Sequence, residues 1–391
     1  MSRMPIEPEL LRWARERASL EISDLEDKFP RLRAWEEGSV APTLAQLEKF
    51  ARAVYVPSGY LFLPSPPEEP DPIPDFRTMG GRKRRLSPNL LDTIYLCQQR
   101  QEWYREYALE NGIESEGLVG VASVEDDPVV VAAELRERLG ISIAERKDAA
   151  NWREALRRLF LQAEEAGVLV MASSVVGSDN HRPLDVQEFR GFAIADAVAP
   201  LIFINTADSK AAQMFTLGHE LAHLCLGESG ISDPDIARRR GNTAKEPKER
   251  WCNKVAAELL LPMGELRDYH NPSLSVAEEI ERLARLYKVS TLVALRRLFD
   301  AKFIDWETFQ TGYREELVRI SSFEQSKNVG GGDFYNTLNV RVGKRFAYAV
   351  ISSTLGGRTL YTEAFRMLGV RKTSTFREEA YKLGVIRDLP S

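Results

Sequence analysis

The segment His219-Glu220-Leu221-Ala222-His223 sets two histidines four residues apart, with a glutamate directly after the first. On a helix, side chains at i and i+4 leave one face about a turn apart, the separation that two ligands of one zinc ion need. Glu220 adds a carboxylate that can hold and deprotonate an attacking water, whose pKa a zinc ion lowers toward neutrality. The chain has only four histidines in 391 residues, so the spacing is a strong signal rather than a by-product of composition. Met214, Phe215, Leu217, Leu221 and Leu224 surround the motif and predict a buried helix whose histidines face a cleft.

A catalytic zinc needs a third protein ligand and one open position. Downstream, Glu249-Arg250-Trp251-Cys252-Asn253 opens a helical pattern that runs through Ala256, Ala257, Leu259 and Leu260 to Pro262. Glu249 and Asn253 share a helix face, so Glu249 can complete a site with His219 and His223. Asn253 can then accept from the free ring N–H of a ligand histidine and fix its tautomer. Cys252 is a rival ligand, because a thiolate suits zinc and lies close to the same face; it reads equally as a small buried residue. Glu249 itself also reads as a first-turn carboxylate favoured by the helix dipole. His181, Tyr269 and His270 are candidates to stabilise an oxyanion opposite the metal, although a lone loop histidine is more often structural.

The elements that must position these groups follow from periodicity. Residues 1–63 form a small helical unit, with Leu10, Leu11, Trp13 and Ala14, then Leu44, Leu47, Phe50 and Ala51 at helical spacing. A proline-rich stretch, 64–74, cannot continue a helix and opens a linker, extended to residue 87 by a basic run at 82–85 that is either a phosphate or acidic-partner contact or a solvated loop. Helices are expected over 88–112, 129–140 and 147–167. Short apolar runs at 168–171, 189–194 and 201–204 then predict a small sheet, followed by helices over 208–226 and 246–261. Residues 88–270 are read as the metal-bearing domain and 271–391 as a helical C-terminal domain, with a glycine hinge at 330–332. The fold class expected is α+β and mostly helical.

Bulk properties exclude several classes. With 43% hydrophobic residues and no apolar run near the roughly 18 residues needed to span a bilayer, a soluble protein is expected. The start, Met1-Ser2-Arg3-Met4-Pro5, shows no signal peptide, and three unpaired cysteines fit a reducing compartment, so the cytoplasm is the expected location. A net charge of -5 favours neither nucleic acid nor membrane globally. Locally, residues 326–391 carry eleven Lys/Arg against five Asp/Glu, a surface for nucleic acid or an acidic protein, or simply a charged helical face.

Phe215-Thr216-Leu217-Gly218-His219-Glu220-Leu221-Ala222-His223-Leu224 and Glu249 through Pro262 resemble the two diagnostic segments of the ImmA/IrrE metallo-endopeptidases, and Gly191-Phe192-Ala193-Ile194 with Phe203-Ile204-Asn205 resembles the strands before them. The variant it is similar to carries a Cro/repressor-like (XRE) helix-turn-helix segment in front. The resemblance implies a zincin-like, gluzincin-type fold, with His219, His223 and Glu249 as Zn2+ ligands and Glu220 as general base. It also implies a repressor protein as substrate, cut to switch genes on under stress, and a toxin nuclease encoded nearby as a partner. Cys252 stands where an alanine is usual and Gln213 where a basic residue is common.

Leu11-Arg12-Trp13-Ala14-Arg15-Glu16, Trp35-Glu36-Glu37-Gly38 and Pro42 to Leu47 resemble the corresponding helix-turn-helix segment, a route to DNA. The stretch from Leu25 to Trp35 is about four residues short for a turn plus reading helix, and Pro30 interrupts it. Residues 1–63 hold nine Lys/Arg against ten Asp/Glu, whereas DNA-reading modules are usually basic, so packing or substrate docking is the competing role. The mechanism expected is hydrolysis of a substrate strand paired to an exposed sheet edge near 201–205. The alternative is a non-catalytic regulator or antitoxin-like protein.

Overall fold

The computed structural model describes residues 3–75, 86–114, 117–232, 246–325 and 334–387; the basic run 82–85 and the glycine run 330–332 lie outside the described residues. The chain divides into two compact units, residues 1–72 with 78–95, and residues 73–77 with 96–391.

In the first unit, α1 (Pro8–Arg17), α2 (Ile22–Leu25), α3 (Leu32–Glu36) and α4 (Leu44–Ala53) precede a 3-10 turn, Ser58–Phe62. Leu11, Trp13, Phe29, Leu32, Trp35, Leu47 and Phe50 close its core. The buried Arg15 guanidinium holds both oxygens of buried Glu36, at 2.8 and 2.9 Å. Between α1 and α4 the chain makes only helices of four and five residues, in keeping with the shortened stretch around Pro30.

Leucine-rich and alanine-rich helices dominate the second unit: α5 (Pro88–Glu110), whose first residues count with the N-terminal unit, α6 (Pro128–Arg138), α7 (Ile143–Lys147) and α8 (Trp152–Glu165). The helix expected over 147–167 starts only at Trp152, because Asn151 caps α8 by accepting from Glu154 N at 3.0 Å; residue 147 instead ends α7. Next come β1 (Leu169–Ser173), β2 (Gly191–Ile194) and β3 (Leu201–Asn205), then α9 (Lys210–Cys225), β4 (Gly230–Ser232) and α10 (Glu246–Leu260). The remainder is helical: α11 (Met263–Tyr269), α12 (Val276–Tyr287), α13 (Thr291–Asp300), α14 (Trp306–Gln325), α15 (Phe334–Val342), α16 (Lys344–Leu355), α17 (Tyr361–Leu368) and α18 (Thr373–Lys382).

The sheet runs β1-β3-β2-β4, with β1 parallel to β3 and the other pairs antiparallel. All of its strand residues are buried, which explains why its strands read as continuous apolar runs rather than alternating ones. This order corrects one expectation: β3 lies between β1 and β2, so residues 201–205 offer no free edge. The strand with an outer edge near the histidine helix is β4, three residues long and too short to announce itself by alternation. There Ile231 N donates to Pro74 O at 2.9 Å, and Asp75 makes a parallel bridge to Ile231.

Helix α9 packs on β2 and β3, and α10 packs on α9 and α6. One continuous core joins them and runs past residue 270 through Ile280, Leu283 and Tyr287 of α12 and Val293, Leu295 and Leu298 of α13, so no division falls at 270/271. Cys97, Cys225 and Cys252 are free thiols and all buried. Among the described residues no helix is long and apolar enough to cross a membrane.

Buried Glu164 at the end of α8 accepts from Arg345 N at 3.0 Å, tying α8 to α16. Burial pushes its carboxyl up to about 7, against the pull of the Arg345 and Lys344 amides. Between its ordinary value and about 7 the folded protein keeps a proton that the unfolded chain releases, so this group costs stability as pH rises through that window. Glu164→Gln is therefore expected to be near neutral at pH 5 and stabilising by about 2–3 kcal/mol at pH 8, read from urea unfolding at both pH values. A difference between variants that does not change with pH rules this out.

Candidate metal centre

Ser209 caps α9, its hydroxyl accepting from Ala212 N at 3.2 Å. Gln213 donates to the carbonyls of Thr206 (3.2 Å) and Asp208 (2.6 Å), which fixes the turn that delivers the chain from β3 into the helix. From Gln213 to Cys225 every residue of α9 is buried, so the helix carries its histidines through the core rather than along a wet surface.

The structure brings His219, His223 and Glu249 together, with one ligand atom from each lying within 4.8 Å of the others. His219 Nε2 stands 3.1 Å from His223 Nε2 and 3.3 Å from Glu249 Oε2, and His223 Nε2 stands 3.1 Å from Glu249 Oε1. Atoms bonded at about 2.0–2.1 Å to a single tetrahedral zinc ion stand roughly 3.3 Å apart; the two short edges to Glu249 reach its different oxygens, and one atom from each residue falls within 4.8 Å of the others, so the three side chains converge closely enough to hold one ion. His219 Nδ1 lies 3.0 Å from Asn253 Oδ1, which can only accept; Nδ1 therefore carries the proton and the Nε2 lone pair is free to ligate.

Fully buried Glu220 accepts a hydrogen bond from Ser232 Oγ at the end of β4. Its second oxygen, Oε2, is buried with no hydrogen-bond partner among the described residues, which leaves it able to accept from a reactant. Space for the carboxylate comes from Gly191 in β2: a Cβ there would stand 2.6 Å from Thr216 Cγ2, 2.9 Å from Phe203 O and 3.2 Å from Glu220 Oε1.

Burial pushes the Glu220 carboxyl up, against the pull of the two imidazoles. Burial acts the same way on Glu249, but there the imidazoles and their hydrogen bonds win and hold it well below the usual carboxylate range. For His219 burial is the largest influence and lowers it, but the charge and hydrogen bond of Glu249, with Glu220 and Asn253, together outweigh burial and raise it. A buried site with two carboxylates and two imidazoles is anionic when the rings are neutral, which is what a dication needs.

Cys252, the rival ligand, is fully buried in the core of α10 and its thiol is pushed well above its ordinary value by burial; it is not one of the three converging residues. The oxyanion candidates are not among them either. His270 is held by Glu279 at 3.1 Å and stacks on Phe303, Tyr269 lies under the Lys147 ammonium, and His181 is exposed in a loop. Ser232 and Gly191 are site residues that sequence reasoning missed. A three-residue strand carries no periodicity, and the glycine's role shows only once β2 and α9 are seen face to face. A charged cleft of about 580 Å³ adjoins the centre, bordered by Asp127, Phe215, Arg250, Asn253, Lys254 and Arg296.

No curated protein matches the chain. Residues 342–382 match the model of a domain of unknown function (DUF8813). Residues 163–299, which contain His219, Glu220, His223, Glu249, Asn253, Ser232 and Gly191, match the family model Peptidase_M78, described as the IrrE N-terminal-like domain, so the whole centre lies within a segment similar to a peptidase family.

Proposed function

We propose that this chain is a zinc-dependent endopeptidase that cuts a specific regulatory protein of repressor type. The observation that carries the reading is the three-atom face of His219, His223 and Glu249 with the Glu220 carboxylate beside it. A zinc ion held there would acidify water and polarise the scissile carbonyl. Glu220 takes the proton of the attacking water and later hands it to the leaving nitrogen. Ser232 keeps one Glu220 oxygen aimed, so the other faces the reaction. Asn253 fixes the His219 tautomer and acts as a positioning residue.

The substrate strand pairs along the outer edge of β4, next to Ser232, in place of the Pro74 and Asp75 contacts to Ile231, rather than near residues 201–205. The adjoining cleft, with acidic and basic side chains on its walls, offers polar recognition for residues flanking the cut. A repressor substrate, a stress trigger, a toxin nuclease partner and DNA contacts by the first unit rest on the family resemblance of the motifs.

The test is metal analysis of the purified full chain. One equivalent of zinc is expected in the wild type, with loss of most of it in His219→Ala. A folded wild-type protein that takes up no zinc would favour the non-catalytic regulator.

A further inference from the structure

We propose that the last three helices form a second, separate binding site, a helix-turn-helix module that takes duplex DNA with α18 as its reading helix; this stands independently of the metal centre. Residues 342–382 carry eight Lys/Arg against three Glu, a net of +5 within a chain whose total is -5. Glu379 is fully buried and Glu378 is paired with Lys382 at 3.2 Å, so neither offsets the exposed cations.

The geometry supplies what a groove reader needs. Helices α17 and α18 both pack against α16, through a small core of Phe346, Ala347, Val350, Ala364, Leu368 and Phe376. Phe376 locks the two later helices together, its ring 5.4 Å from Tyr361 and 5.7 Å from Phe365. Only residues 369–372 separate them, and the turn begins with Gly369 at φ +67, a left-handed conformation that ends α17 abruptly; buried Val370 then anchors the turn. A turn of three or four residues containing glycine is the join that leaves a second helix free to enter a major groove.

What α18 presents is polar and basic. Arg371, Lys372, Thr373 and Ser374 at its start are exposed, and Ser374, Arg377 and Tyr381 continue along one face at helical spacing. Arg371, Lys372 and Arg377 make no ion pair among the described residues. Cations and hydroxyls at the beginning of a reading helix suit base edges and phosphates, arginine to guanine above all. A protein-binding face of the same size needs apolar anchors at its centre, and along α18 only Tyr381 has that character.

The experiment is fluorescence anisotropy of a labelled mixed-sequence DNA duplex with the full chain across a salt series. The wild type is expected to bind at low salt. Combined Arg371→Ala, Lys372→Ala and Arg377→Ala should weaken it about tenfold or more and flatten the log–log salt slope by about 2–3, with unchanged thermal melting. Arg377→Gln alone should flatten the slope by about one. Duplex RNA, whose deep major groove excludes a helix, should compete poorly. The proposal is overturned if the wild type fails to bind at low salt, or if the folded triple variant binds as tightly as the wild type, which would put any DNA contact elsewhere. Displacement by polyglutamate as readily as by unlabelled duplex also overturns it, and marks the face as a site for an acidic protein.

Discussion

Replacing Glu220 by Gln is expected to slow peptide cleavage by about 10²–10⁴ while the zinc content stays at the wild-type level. Glutamine has the same shape, and its carbonyl can still accept from Ser232 Oγ, so the floor of the site survives. The ligand atoms belong to His219, His223 and Glu249, and none is touched. What disappears is, among the described residues, the fully buried carboxylate next to them that is not itself a proposed ligand. Burial raises the Glu220 carboxyl and so makes it a stronger base than an exposed one, an advantage that an amide cannot reproduce. The measurement is single-turnover cleavage of a protein substrate cut by the wild type, with fragments identified by mass spectrometry; undiminished cleavage by the variant removes Glu220 from the mechanism.

Arg297→Ala is expected to cost about 3–5 kcal/mol of folding stability. Arg297 on α13 is buried, as is Glu258 on α10, the two side chains being 6% and 5% exposed. Their ion pair is completed by Arg297 Nε donating to Leu261 O at 2.8 Å and by Met263 N donating to Glu258 Oε1 at 3.0 Å. Truncating the arginine leaves a carboxylate in the core without its counter-charge and the Leu261 carbonyl without its donor. Because α10 also carries Glu249 and Asn253, the same change loosens the helix that supplies the third converging side chain. Urea unfolding reads the loss, and a drop below about 1 kcal/mol would mean that the pair is as weak as a surface one.

How much of this was legible in sequence depended on the length scale of each signal. The α9 histidines and α10 carboxylate could be paired because helical spacing is local and α9 and α10 are long. The three longer strands announced themselves as apolar runs, but their order did not, since strand order is set by connections that no run encodes; β3 therefore proved interior. Strand β4 and Ser232 were invisible for want of length, and α8 begins five residues after the expected start at 147 because Asn151 caps it. The continuous core across residue 270 was hidden for a similar reason: amphipathic faces in α12 and α13 show that something is covered, not what covers it.

The bond from Ile231 to Pro74 has a consequence for any incoming peptide. A chain's own segment, tethered through neighbouring sequence, competes for a sheet border as if present at roughly millimolar concentration. On the proposed peptidase reading, a foreign peptide would have to displace that resident before being cut, which would turn away short random stretches of unfolded protein and admit a partner with additional contacts elsewhere. The proline contributes to this: lacking an N–H, it accepts from the border without returning a bond at that residue, which leaves the resident weakly enough held to be displaced.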